Sequence, residues 1–369
     1  MDPLSGFTGE PWAPCMERFF RERRPASARY HGSLFPIPVN GVLMRRVTRG
    51  WLPVFMWTLL LYVLVSCTGF NHNPTRLASG TFRDDLNLRT GKYNRHFLLH
   101  IPEGYTLSRQ YPLVVVLHGA FSTAREMENE SRWSQLADRE GFIVIYPEGI
   151  GILGYLQHWN AGQCCGKAVR DDWKDVAFIE AAIDGMCRQY SVDRSRIYMV
   201  GFSNGGMMAY RFAAERPNKL AAIASVSGAI GSRASPDSPE WLLPVPERPV
   251  PVLIMHGASD ETIPFDGGKP IDRASTREYR SVSDAVRFWT TVNNCMDGPL
   301  RKFPFGGMVI EESWMDTGGR NEVRAYRILN WGHHWPGGSF TRTLPENHPL
   351  KEFDAAQTIW RFFQQYSLD

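Results

Sequence analysis

Charge of one sign is what this 369-residue chain lacks first. It holds 41 basic and 38 acidic residues, and the small excess is local. Residues 1–66 carry eight arginines, no lysine and four acids, leaving 33 basic against 34 acidic residues in the remainder. No basic stripe is left for nucleic acid, and no strong field for steering a charged partner. A His-Glu-x-x-His motif is missing, as is any ligand-spaced set of cysteines and histidines, so no metal centre is expected. The longest mostly apolar stretch has about sixteen residues, short of the ~20 that a spanning helix wants. Internal repeats and low-complexity tracts are absent too. What is present is 43% apolar residues and an ordinary charged fraction, enough for one domain with a sizeable core.

That apolar stretch lies in "MRRVTRGWLPVFMWTLLLYVLVSC", Met44 to Cys67. A basic start, an apolar middle and a small residue at the end are the layout of a secretory signal. The ending Leu64-Val65-Ser66-Cys67 resembles the bacterial lipobox, which makes Cys67 the expected lipid acceptor and the membrane a partner through that anchor. An uncleaved anchor and simple secretion are the other readings, and all three place residues 68–369 outside the cytoplasm. Residues 1–43, Pro- and Arg-rich without periodicity, read as a doubtful extension or disordered tail before a signal at 44–66. Residues 67–90 read as a polar linker, and 91–369 as the domain. Of six cysteines, 164, 165, 187 and 295 fall in that domain, where export would let disulfides persist. Adjacent Cys164 and Cys165 make a mutual bond awkward, so two bridges are expected, each joining one of them to Cys187 or Cys295.

Within the domain, β-rich runs alternate with amphipathic stretches. The runs are 95–102, 111–119, 142–149, 196–203 and 250–260; the helical stretches are 124–140, 174–190, 205–216, 280–294 and 353–365. Continuous apolar runs such as "YPLVVVLHG", ended by glycine, read as buried parallel strands. The alternation predicts an α/β fold, a mostly parallel central sheet with helices on both faces. Residues 231–251, with six prolines, and 293–308 read as irregular insertions.

"GFSNG", residues 201–205, falls between a strand-like run and a helical one. A tight strand-to-helix turn with flanking glycines holds Ser203 up at the carboxyl end of the sheet, where open α/β sheets bind ligands. A serine hydroxyl needs a base, and the base needs an orienting carboxylate. In this fold they follow the nucleophile in the order Asp/Glu, then His. Asp260 closes "IMHGASD", and His333 and His334 sit in "NWGHHWPGG". Either histidine satisfies the order. The oxyanion needs two N–H donors: Asn204, directly after the nucleophile, and Ala120 or its neighbour Phe121 in the turn after "VVVLHG". His118 in that turn reads as a structural brace.

Taken together, "LHG", "YPEG", "WNAGQCCG", "DVAFIEAAID", "GFSNGGMMAYRFA", "PVLIMHGASDETIPFDGG" and "GHHWPGG" resemble the bacterial polyhydroxybutyrate-depolymerase-like and feruloyl-esterase-like serine esterases. The resemblance covers about residues 92–365. It implies an α/β-hydrolase fold and cofactor-free hydrolysis of carboxylic esters, of feruloyl- or acetyl-polysaccharide or of hydroxyalkanoate type. It places the nucleophile at Ser203 and the acid at Asp260. In the family's Gly-His-x-Trp-Pro turn the histidine after the glycine is catalytic, which selects His333. Trp159 and Trp335 are expected to line the substrate pocket. A serine peptidase of the same fold and a non-catalytic binding protein on a hydrolase scaffold are the rival readings.

Overall fold

The computed structural model describes residues 79–90, 93–152, 155–162, 164–295, 297–319 and 322–368. The extension, the signal, Cys67 and the first part of the expected linker lie outside the described residues. No described helix is long and apolar enough to cross a membrane.

Ten strands form one sheet: β1 Gly80–Thr90, β2 Tyr93–Ile101, β3 Tyr111–Leu117, β4 Ile143–Pro147, β5 Val192–Phe202, β6 Ala222–Val226, β7 Val252–Gly257, β8 Asp297–Lys302, β9 Val309–Met315 and β10 Glu322–Ile328. Their order is β1-β2-β4-β3-β5-β6-β7-β10-β9-β8. The six strands from β4 to β10 run parallel. Antiparallel pairs close both edges.

The period-2 pleat divides the core. In β3, Leu113, Val115 and Leu117 join one apolar cluster, and Val114 and Val116 join the other. Helices α1 Ala124–Ser131, α2 Trp133–Glu140 and α6 Ala355–Phe363 cover the face of Val114. Helices α3 Asp175–Gln189, α4 Asn204–Glu215 and α5 Val282–Val292 cover the face of Leu113. This is the helix–sheet–helix sandwich that the alternation predicts.

Three expectations need correction. Residues 80–90, expected as linker, are an edge strand on β2. Edge strands need no continuous apolar run, so "GTFRDDLNLRT" carries no strand signal. Residues 297–302, expected as irregular, are the opposite edge strand. Pro299 argues against an inner strand, but an edge tolerates it. The stretch 124–140 is two helices, because Arg132 adopts a left-handed φ of 60° between them.

Candidate active site

All six parallel strands end on one side, so the loops after β3, β5, β7 and β10 share a rim. Ser203 follows β5 at φ 55°, ψ −119°, and caps the start of α4. That strained backbone turns a strand into a helix in one residue. The turn leaves no room beside it. A Cβ on Gly201 would meet the Gly205 oxygen at 2.1 Å, and one on Gly205 would meet the Leu117 and His118 oxygens at 2.5 Å. Glycine at both positions is therefore dictated by close backbone approach. The first N–H groups of α4 have no partner within the helix, and they bring positive charge to the serine.

Asp260 lies in the turn after β7, buried, and His333 in the loop after β10. His333 Nδ1 donates to Asp260 Oδ2 at 2.7 Å. Asp260 Oδ1 accepts the Thr262 and Ile263 N–H groups at 3.0 and 2.8 Å. Burial alone would push the Asp260 carboxyl towards its neutral form. Hydrogen bonds from His256 and His333 outweigh it and hold the group well below the usual carboxylate range. His334 turns away: its ring stacks on Phe340 at 4.2 Å and 6°. Only His333 of the pair reaches the acid.

Ser203 and His333 line the same cleft, of about 420 Å³. Ala120 lines it as well, whereas the Phe121 N–H is already given to the Gln157 carbonyl at 2.7 Å. Asn204 spends its side chain on the neighbouring loop: Oδ1 accepts from Trp159 N at 2.7 Å, and Nδ2 donates to the Trp159 and Cys164 oxygens. Its backbone N–H is the group left at the helix start.

His118 braces that arrangement. The Gly149 N–H donates to its Nε2 at 3.0 Å, so the ring hydrogen sits on Nδ1 and is given to the Gly119 carbonyl at 2.7 Å. Burial pulls this imidazole down to about 4, against the pull of the Gly119 carbonyl. An unfolded chain would protonate it near 6.5. The depressed pKa therefore favours the folded state above about pH 6.5, and that margin of about 3 kcal/mol is lost as pH falls towards 4. Urea unfolding at pH 7 and pH 4 should show the loss, and His118→Gln should shrink the difference between the two.

Trp159 and Trp335 are corrections. They are 0% and 1% exposed, and neither lines the cleft. Trp159 packs on His118 at 4.8 Å and donates Nε1–H to its carbonyl, while Trp335 meets Phe202 edge-on. Both rings are large enough to be drawn wholly into the two cores. The disulfides are another correction. Cys164 and Cys165 are joined to each other, and Cys187 and Cys295 remain thiols on other elements. The Cys164 carbonyl accepts from Asn204 Nδ2 and the Ala161 N–H, and the Cys165 N–H donates to the Trp159 carbonyl, so the loop is folded back on itself.

Most of the cleft wall comes from residues to which the sequence motifs assign no role: Glu126, Met127, Asn129 and Glu130 from α1, Phe202, and Arg342 from the short helix Ser339–Thr343. Glu126, Asn129 and Glu130 stand at i, i+3 and i+4, one helical face. That spacing was the available signal.

Residues 95–263 match the Esterase PHB depolymerase family. The putative esterase NocK of Nocardia uniformis subsp. tsuyamanensis is 30% identical over 259 residues, which are 67% of this chain and 72% of that protein. The chain belongs to the esterase PHB depolymerase family. Another relative in sequence is the bifunctional acetylxylan esterase/xylanase XynS20E of Neocallimastix patriciarum, 31% identical over 45% of this chain and 22% of that longer protein. Among solved structures, the acetyl xylan esterase from Aspergillus awamori superposes with a TM-score of 0.51 at 14% identity, over 78% of this chain and 99% of that one. That likeness is one of fold, and it is the α/β-hydrolase fold. The family's matched segment carries Ser203 and Asp260 but ends before His333.

Proposed function

We propose that this family member is an exported serine carboxylesterase working through Ser203, His333 and Asp260. The observation that carries the reading is the 2.7 Å bond from His333 to buried Asp260, at the rim of the cleft that also holds Ser203. His333 Nε2 takes the Ser203 proton as Oγ attacks the ester carbonyl. The oxyanion forms against the Asn204 and Ala120 N–H groups. The tetrahedral adduct expels the alcohol, which takes the proton from His333, leaving an acyl-enzyme. Water, giving its proton to His333, then releases the acid and restores Ser203. Asp260 fixes the imidazole tautomer throughout. Every step uses groups of the chain itself.

The substrate class is esters of feruloyl- or acetyl-polysaccharide or of hydroxyalkanoate type. The cleft wall favours the first. Asn129 and Arg342 are exposed there, and among the described residues neither side chain bonds to the rest of the chain. Such free donors suit a hydroxyl-rich alcohol better than a polyester. Export and lipidation at Cys67 belong to the same reading and rest on residues 44–67 alone.

A fluorophosphonate probe should label the wild-type protein at Ser203 alone. Turnover should then be compared on methyl ferulate, acetylated xylan and hydroxybutyrate oligomers. Absence of both labelling and turnover would sink the esterase reading, and a preference for the oligomers would reverse the choice of substrate.

A further inference from the structure

One buried histidine beside the site takes no part in the steps above. His256 is next to last in β7 and 1% exposed. Its Nε2 lies 2.8 Å from the Ile263 carbonyl oxygen and 3.3 Å from Asp260 Oδ2. A carbonyl oxygen only accepts, so Nε2 carries the ring hydrogen and offers it to both oxygens as a three-centre donor. Nδ1 is buried and has no partner among the described residues, as suits the nitrogen without a hydrogen.

Oδ2 is the oxygen that meets His333. Asp260 thus receives donors from its own turn on one oxygen and from two imidazoles on the other. One imidazole comes from β7 and the other from the loop after β10, and these two strands are paired neighbours. We propose that His256 is a positioning residue for the triad. Its Nε2–H ties Asp260 Oδ2 to the Ile263 carbonyl, so the turn after β7 presents one carboxylate orientation to His333. It also shares the negative charge that His333 would otherwise face alone. The proposal rests on the ester-hydrolase reading above.

Among the described residues the surroundings offer no substitute donor. His334 and Tyr279 feel the charge of Asp260 without bonding to it. Arg327, opposite His256 in the β7–β10 register, lies over the Phe265 ring at 4.6 Å, and Phe265 meets His256 edge-on at 5.9 Å. Removing the His256 donor therefore leaves Oδ2 with His333 alone among the described residues. The carboxylate gains freedom to swing, and its negative charge then faces the His333 imidazole undivided.

The test measures kcat and KM for a neutral nitrophenyl ester across pH, for wild type, His256→Leu and His256→Gln, each also in an Asp260→Asn background. Glutamine can place an amide N–H near the position of Nε2. His256→Leu should lower kcat roughly ten-fold or more, leave KM within about two-fold, and move the acid limb of kcat/KM to higher pH. His256→Gln should restore most of kcat and return the limb. In the Asp260→Asn background, His256→Leu should add little further loss. A folded His256→Leu variant with wild-type kcat and limb would overturn the proposal. So would leucine and glutamine variants equally impaired with the limb unmoved, which would mark a packing role. Should the leucine variant fail to fold, glutamine decides alone: kcat within about two-fold of wild type supports the donor role, and a ten-fold loss ends it. Ser203-dependent turnover by the wild type is established first. Its absence would refute the hydrolase reading, and this proposal with it; turnover indifferent to His256 refutes the positioning role only.

Discussion

Ser203→Ala should abolish ester turnover, by roughly 10⁴- to 10⁶-fold in kcat, while melting like wild type. The two outcomes separate because the hydroxyl holds nothing together: among the described residues, Ser203 contributes its backbone N–H and carbonyl to structure, not its Oγ. Alanine bears the same strained φ of 55° as serine, so the turn costs no more to form. Whatever slow hydrolysis survives would come from the amide donors and the cleft, which still favour the tetrahedral adduct. Nitrophenyl acetate turnover beside a thermal melt checks both halves. A folded alanine variant with activity near wild type would remove the nucleophile from the mechanism.

Asp260→Asn should cost roughly 10⁴ in kcat, with the protein still folded. An asparagine can keep an oxygen towards the Thr262 and Ile263 N–H groups, which now satisfy Oδ1. Its amide then faces His333 with hydrogens where Nδ1–H needs an acceptor. The imidazole must flip or change tautomer, and Nε2 no longer accepts the serine proton. Because the hydrogen bonds from His256 and His333 prevail over burial, Asp260 in the wild type stays ionised across the range where histidines ordinarily titrate. The acid limb of the wild-type pH profile should thus report an imidazole, and the asparagine variant should be slow at every pH. Steady-state rates from pH 5 to 9 test this, and recovery of wild-type rates at high pH would contradict it.

Much of this architecture is legible in the sequence, for identifiable reasons. Buried parallel strands such as Tyr111–Leu117 must be apolar on both faces, and a seven-residue apolar run has few other uses. The Ser203 turn is legible because close backbone approach leaves only glycine at 201 and 205. Edge strands were invisible because one side of their backbone pairs with water, which relaxes the demand on composition. Trp159 and Trp335 misled because an aromatic ring next to a motif serves a pocket or a core equally well on paper; only burial tells the two apart. The adjacency of Cys164 and Cys165 reads as too cramped for a mutual bond, yet the two are joined to each other. Arg342 reached the cleft through a fold-back of the chain after His333, with Glu130 accepting from the Ser339 backbone and hydroxyl at 2.9 Å. No local pattern announces that contact.

The place of β10 beside β7 also bears on how the molecule can be divided. A fragment stopping at residue 263 would retain nucleophile and acid, yet it would strip β7 of the neighbour that covers its outer side. Six residues, Val252–Gly257, all buried and without an acidic or lysine gatekeeper, would become a sticky open rim. Such a truncation is a recipe for inclusion bodies, and expression trials should keep the C-terminal hundred or so residues attached.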